Sequence, residues 1–211
     1  MIVIIDSNIA NLGSVVAAFR HLCEPVTVTD DPDIVSSANG LVLPGVGAFA
    51  DGMESLRSKG LVEPIRSAAT AGRSILGICL GMQLLAEESE EFGIHEGLSL
   101  IPGRVTRLEP TSGERVPNIG WCDVSQERDS TLFNAIVSGT SFYFVHSYHL
   151  SCNDREDSVA TIGFGHKPVT VAVERGNIFG VQFHPEKSQD AGLGILEAFV
   201  AHVRKESSDA S

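Results

Sequence analysis

The run Ser74-Ile75-Leu76-Gly77-Ile78-Cys79-Leu80-Gly81-Met82-Gln83 joins an apolar stretch of buried-strand length to a segment with helical spacing. Ser74 to Ile78 reads as a strand and Leu80 to Glu88 as a helix. Cys79 sits at the junction, with a glycine two residues away on each side. Such glycines let the backbone turn sharply and lift the intervening side chain above the end of a sheet. A helix starting at Leu80 sets its free N–H groups and the positive end of its dipole beside the sulfur, which favours thiolate. The Leu80 N–H then faces a developing oxyanion. The same residues fit a buried structural cysteine between packing glycines.

Outward from this junction, strands and helices alternate. Ile2 to Asp6 is an apolar run, followed by Leu12, Val15, Val16, Phe19 and Leu22 at helical spacing with Asn11 as the cap. Val26 to Thr29 and Gly40 to Leu43 are further strands, the latter ending at Pro44-Gly45-Val46-Gly47, and helical patterns lie around Met53 to Ser58 and Leu61 to Ala71. The alternation predicts an α/β fold with an open, mostly parallel central sheet and helices on both faces. After Gly103 the chain changes to short segments rich in Val, Thr and Phe: Arg104–Leu108, Phe142–Leu150, Val159–Ile162, Val169–Glu174 and Ile178–Phe183. These predict antiparallel strands appended to the sheet. A last helix is expected from Ala191 to Arg204. Residues 1–205 read as a single domain and 206–211 as a polar, frayed tail.

Composition narrows the function. The 211 residues are 43% hydrophobic and 20% charged, and 27 acids against 15 Lys and Arg leave a net charge of −12. A surface this acidic repels phosphate backbones and anionic lipid, so neither nucleic acid nor membrane is an expected partner. Met1 to Asp6 is too short for a secretory signal, and the uncharged stretch Ile34 to Ala50 is interrupted by Pro44 and glycines. The four cysteines, Cys23, Cys79, Cys122 and Cys152, include no Cys-x-x-Cys pair. His146 and His149 are three apart in a strand-like run, where they point to opposite faces. A reduced, cytoplasmic protein without metal is the expectation. The length also excludes a multidomain synthase with separate sites for several large substrates.

A thiol nucleophile needs a base, and the base needs an orienting group. His184 lies in Val181-Gln182-Phe183-His184-Pro185-Glu186, where a strand ends and Pro185 holds His184 extended. In an extended chain His184 and Glu186 leave on one face, so Glu186 can hydrogen-bond the imidazole. Alone, His-Pro-Glu equally describes a surface turn. Pro44-Gly45-Val46-Gly47 follows another strand, and its glycines permit the backbone to present an N–H to a carbonyl oxygen, or merely end the strand. Ligands of open parallel sheets bind beyond the strand carboxyl ends, where all three motifs fall.

Together these motifs resemble those of the triad (class I) glutamine amidotransferases, over nearly the whole chain and in the family's order. Within that family Pro44-Gly45-Val46-Gly47-Ala48-Phe49, Pro117-Asn118-Ile119-Gly120-Trp121, Tyr143-Phe144-Val145-His146-Ser147-Tyr148 and His184-Pro185-Glu186-Lys187-Ser188 are most similar to the glutaminase subunits of histidine biosynthesis. The resemblance implies that Cys79 attacks the side-chain amide of L-glutamine, His184 protonates departing ammonia and Glu186 orients His184. It implies an oxyanion hole of Leu80, Val46 and Gly47, and substrate contacts at Gly45, Gln83, Glu91, Ser147 and Tyr148. No cofactor and no metal are implied. Ammonia would pass to a (β/α)₈ cyclase subunit that makes imidazole glycerol phosphate and aminoimidazole carboxamide ribotide, with Asn11, Trp121, Tyr143 and Lys187 facing that partner. From sequence alone, Trp121 is equally a core residue and Lys187 a solvated charge.

Two departures stand out. Where the family's first loop usually has glycines, this chain has Asp6-Ser7-Asn8-Ile9-Ala10-Asn11, and Cys122 follows Trp121 where asparagine is common. Asn8 tolerates a left-handed backbone and Ala10 does not. The neighbours of Glu91 in Glu87-Glu88-Ser89-Glu90-Glu91 read as a solvated helix end. Three other readings compete. A cysteine peptidase or deglycase on the same fold predicts a histidine directly after the nucleophile, where Leu80 stands. A non-catalytic module has no need to keep Cys79, His184 and Glu186 together. A glutaminase subunit serving a different ammonia acceptor has the same motifs.

Overall fold

The computed structural model describes residues 1–209. Strands β1 (Ile2–Ile5), β2 (Val26–Thr29), β3 (Gly40–Gly45) and β4 (Ser74–Cys79) alternate with helices α1 (Leu12–His21), α2 (Pro32–Ser37), α3 (Phe49–Ser58) and α4 (Val62–Thr70), and α5 (Leu80–Leu84) follows β4 directly. The remaining strands are β5 (Ala86–Ser89), β6 (His95–Glu96), β7 (Ile101–Arg107), β8 (Asn118–Gln126), β9 (Thr140–His146), β10 (Tyr148–Cys152), β11 (Ser158–Phe164), β12 (Lys167–Arg175) and β13 (Ile178–Val181), and α6 (Gln189–Asp209) closes the chain. Short 3₁₀ turns lie at Arg155–Asp157 and Pro185–Lys187.

The main sheet has nine strands in the order β2-β1-β3-β4-β13-β12-β11-β8-β9. Its first five are parallel and the rest antiparallel. A second sheet of four strands runs β10-β7-β5-β6. The pleat divides the core. Ile2 and Ile4 pack with Val15 and Phe19 of α1 and Ile195 and Phe199 of α6. Val3 and Ile5 pack on the other side with Val35, Met53 and Ile65 of α2, α3 and α4. Alternate residues of one short strand therefore feed two apolar layers, which is why β1 is apolar throughout.

Several expected boundaries move. The helix read from Leu80 to Glu88 is one turn, Leu80–Leu84, after which Ala86–Ser89 is strand. The apolar spacing of Leu84, Leu85 and Ala86 suits a helix, but β5 instead takes its hydrogen bonds from β7 and β6. Its acids are accordingly no solvated helix end. Glu88 pairs with Arg104, and Glu87 accepts from the Gly103 N–H and the Asn153 amide. The run Phe142–Leu150 breaks at Ser147 into β9 and β10, which belong to different sheets. Asn118–Gln126 is a strand that was not expected, because only its inward face is covered and its residues form no apolar run. Helix α6 continues beyond Arg204, with the Ser207 hydroxyl donating to the Val203 carbonyl, so Glu206 to Ser208 are helical rather than frayed. Ala210 and Ser211 lie outside the described residues. Asn11 occupies the N-cap of α1 but makes no side-chain cap hydrogen bond.

Candidate active site

The strand-to-helix junction is as tight as its glycines allow. A β-carbon on Gly81 would lie 1.7 Å from the Leu43 carbonyl oxygen, and one on Gly77 2.6 Å from the Gly81 carbonyl oxygen. Only glycine lets β3, β4 and α5 cross this closely. Between them Cys79 adopts φ +55° and ψ −112°, a conformation that costs a non-glycine residue about 1–3 kcal/mol and persists because the surrounding crossing imposes it. Leu80 is the first residue of α5, so its N–H has no intrahelical acceptor. With five residues, α5 offers that N–H and only a fragment of the dipole expected of a longer helix.

The neighbouring strand brings the base. Phe183 is fully buried, stacked on Phe142 with ring centroids 4.1 Å apart and edge-on to Phe133 and Phe144. Burying one such ring contributes about 2–3 kcal/mol, and it anchors the residue directly before His184. The His184 N–H donates to the Tyr143 carbonyl, the Tyr143 N–H donates to the Ser188 hydroxyl, and that hydroxyl donates to the His184 carbonyl. The turn is thereby tied to β9. His184 Nδ1 and Glu186 Oε1 are 2.8 Å apart, with both side chains at most 5% exposed. A carboxylate only accepts, so Nδ1 carries a proton and Nε2 is left for the sulfur side. Burial works against charge on this imidazole. Cys79 and Glu186, on its two sides, more than offset it and raise the pKa to about 9.

A cavity of about 270 Å³ opens over these groups, lined by Val46, Gly47, Cys79, Leu80, Gln83, Glu91, Pro117, Val145, His146, Ser147, Tyr148, His184 and Lys187. Apart from Gly45 and Glu186, which lie behind its wall, every residue expected to act in catalysis, at the oxyanion or on the substrate lines it. Gly45 pairs with Cys79 in the β3–β4 register, where a β-carbon would press on Leu80 and the Gly81 nitrogen. Glu91 Oε2 accepts from the Phe49 N–H at the start of α3, at 2.7 Å. Gln83 donates from Nε2 to the Tyr148 carbonyl and to Gln182 Oε1, each at 3.0 Å.

One expected oxyanion donor is engaged elsewhere. The Val46 N–H donates to the Ile9 carbonyl at 2.7 Å. In the first loop the left-handed backbone falls on Asn8, at φ +59°, while Ala10 avoids it. Gly47, at φ +101°, is the flexible point of the oxyanion strand. Of the residues expected to face a partner, Trp121 is half exposed and packs edge-on to Tyr143 at 5.9 Å. Lys187 is exposed at the cavity, and Asn11 is exposed at the start of α1. The alternating burial of β8 shows why Trp121 is not core: Ile119 and Trp121 share the outer face. His146 and Gln182 were missed as site residues. In the sequence His146 bears on metal binding and on the family resemblance but on no role in the site, and Gln182, fully buried, donates toward Cys79 Sγ at 3.8 Å. Alternation back from His184 places Gln182 on the same side of the strand, the one signal that pointed to it.

Comparison with known proteins gives a consistent picture. The family model for glutamine amidotransferase class-I matches residues 3–203. The imidazole glycerol phosphate synthase subunit HisH of Moorella thermoacetica is 50% identical over 203 residues, covering 96% of this chain and 95% of that one. Its counterpart of the same name from Syntrophotalea carbinolica is 48% identical, covering 94% and 98%. The solved structure of PurLQS from Thermotoga maritima superimposes with a TM-score of 0.72 at 19% identity, over 96% of this chain and 98% of that one, a likeness of fold.

Proposed function

The chain belongs to the class-I glutamine amidotransferase family, and we propose from this premise that it is a glutaminase subunit of the imidazole glycerol phosphate synthase kind, working through Cys79, His184 and Glu186. The observation that carries the reading is the pairing of His184 with Glu186 at 2.8 Å beside a strained, elbow-mounted Cys79.

The thiol proton passes to His184 Nε2, and the sulfur attacks Cδ of L-glutamine. Negative charge develops on the amide oxygen, where the Leu80 N–H and a second donor from Val46 or Gly47 receive it. His184 returns its proton to the departing nitrogen, ammonia leaves and a γ-glutamyl thioester remains. His184 then takes a proton from water, whose attack releases glutamate and restores the thiol. Glu186 holds the tautomer and stabilises the imidazolium throughout. Glu91, with one carboxylate oxygen spent on Phe49, offers its other oxygen to the substrate ammonium, and the backbone at Ser147 and Tyr148 receives the α-carboxylate. A cavity of about 270 Å³ suits a substrate the size of one amino acid.

The ammonia acceptor is a separate (β/α)₈ cyclase subunit docked over Trp121, Tyr143, Lys187 and Asn11, closing the cavity mouth. The test is glutamate release by the chain alone and with the cyclase subunit and its ligand. Weak turnover alone, strong stimulation in the complex and loss in Cys79→Ala are expected. Full turnover in Cys79→Ala would sink the mechanism, and tight association with a different synthase in place of the cyclase would sink the acceptor.

A further inference from the structure

His146 is 5% exposed, lines the cavity, and has no part in the chemistry described so far. Its Nδ1 lies 2.9 Å from the Tyr148 carbonyl oxygen, and its Nε2 lies 3.1 Å from Nδ2 of Asn118, the residue opposite it in the β8–β9 register. A carbonyl only accepts, so Nδ1 bears the hydrogen. Nε2 then accepts from the Asn118 amide, and the ring is neutral with one tautomer fixed. Burial above all, together with the nearby His149 and His184, lowers its pKa to about 4 against the opposing hydrogen bond to Tyr148, consistent with that neutral form.

The Tyr148 carbonyl is where this ring meets the catalytic side. The same oxygen accepts from Gln83 Nε2 at 3.0 Å, the other hydrogen of that nitrogen goes to Gln182 Oε1 at 3.0 Å, and Gln182 Nε2 donates toward Cys79 Sγ at 3.8 Å. Gln83 and Gln182 are 6% and 0% exposed. Both amides have their orientation set by these bonds, since a flip of either would set donor against donor or oxygen against oxygen. On the other side Asn118 extends the chain to the Cys122 thiol, which donates to Asn118 Oδ1 at 3.7 Å. The relay thus runs from β8, whose outer face bears exposed Ile119 and Trp121, to the nucleophile.

We propose that His146 is a positioning residue: its Nδ1–H pins the Tyr148 carbonyl, which orients the amides of Gln83 and Gln182 and, through them, the Cys79 sulfur. The proposal rests on the glutaminase reading for its substrate, though not for its geometry.

Three variants of the full chain, in complex with the cyclase subunit, test it. The amide nitrogen of asparagine stands as many bonds from Cα as the donor Nδ1, and the amide oxygen of glutamine as many as the acceptor Nε2. His146→Asn keeps the donor to Tyr148, His146→Gln keeps only the contact to Asn118, and His146→Leu keeps neither. Losing one buried hydrogen bond corresponds to about a tenfold effect. The expected result is a KM for glutamine raised about tenfold in His146→Gln and His146→Leu, with a smaller fall in kcat, and largely recovered in His146→Asn. Alkylation of Cys79 by iodoacetamide, followed by mass spectrometry without glutamine, should slow in the same order, because the N–H aimed at the sulfur holds it in its reactive position. Equal losses in His146→Asn and His146→Gln, with melting temperatures alike, would overturn the proposal, and this pair decides even if His146→Leu does not fold. If the wild type releases no glutamate while alkylation keeps the order, the glutaminase reading fails and the positioning role stands.

Discussion

The backbone N–H of Val46 is bonded to the carbonyl of Ile9 at 2.7 Å. A backbone donor held this way points out of the cavity in which an oxyanion would form. If Val46 is the second donor of the proposed oxyanion hole, only the Leu80 N–H is free for it until the Val46 peptide turns. Removing one oxyanion donor typically costs about 10²–10³ in turnover. Low activity of the isolated chain is therefore the expectation, set by the loop at Ser7 to Ala10, which lies against the oxyanion strand.

Freeing the Ile9 carbonyl should raise that basal activity. Ala10 carries the other half of the Ile9–Ala10 peptide, and a glycine there widens the range over which the carbonyl can rotate. Ala10→Gly is expected to increase glutamate release by the isolated chain by about tenfold, equivalent to roughly 1.4 kcal/mol of barrier. The activity in complex with the cyclase subunit, where the donor would already be turned, should change little. Steady-state assays with and without the partner check this, and an unchanged or lower basal rate would show that the Ile9 carbonyl is not what restrains Val46.

This contact also marks where sequence reading stops. The elbow and His-Pro-Glu were legible because apolar runs of strand length end on them, so Cys79, His184 and Glu186 meet once the sheet is parallel. The strand at Ala86–Ser89 reads as helix because its spacing is ambiguous and its partner Ile101–Arg107 is distant in the chain. The Asn118–Gln126 strand was unreadable because one of its faces is exposed and Gly120 interrupts it. His146 acts through a residue set opposite it by strand register. Likewise, Pro44-Gly45-Val46-Gly47 announces a flexible turn, but which way the Val46 N–H points depends on the loop that follows the neighbouring parallel strand β1.

His184 makes stability depend on pH, with a definite sign. Its pKa rises from an ordinary 6.5 to about 9 in the folded chain. The folded state therefore holds the proton more tightly than the unfolded state. The stabilisation is fully present below about pH 6.5 and is lost as pH rises through about 9. Its size is on the order of 3 kcal/mol. Melting temperature should fall across this interval by about 5–10 °C for a chain of this length. His184→Asn should lack that component and Cys79→Ala should show a smaller one, since Cys79 is one of the two groups that raise the pKa. A wild-type melting temperature that is flat or rising over the interval would contradict the assignment.

Glu186 is expected to matter for turnover more than for folding. Its Oε1 accepts from His184 Nδ1, while its Oε2 is buried with no partner among the described residues. Glu186→Gln fills the same space and can still accept from Nδ1 through its amide oxygen. It no longer stabilises the imidazolium by charge. A fall in kcat of about 10²–10³ is expected with a modest change in KM, the pattern of an interaction strengthened in the transition state. Turnover within about threefold of wild type would remove Glu186 from the mechanism.

Gly81 and Gly163 make a paired test of the elbow. A methyl group at Gly81 would sit 1.7 Å from the Leu43 carbonyl oxygen, which is backbone in the middle of the parallel sheet and has nowhere to move. Relief requires β3 and α5 to separate, which opens the apolar layer around Leu43 and Leu80 and shifts Cys79 from its strained position. Gly81→Ala should therefore cost at least about 3 kcal/mol, the upper range of core overpacking, and abolish turnover in whatever fraction folds. Gly163 in β11 has open space where its β-carbon would be and an ordinary backbone angle, so Gly163→Ala should stay within about 0.5 kcal/mol of wild type. Urea denaturation of both variants measures the difference. Equal stabilities would mean that the close crossing of β3, β4 and α5 is not what holds the nucleophile.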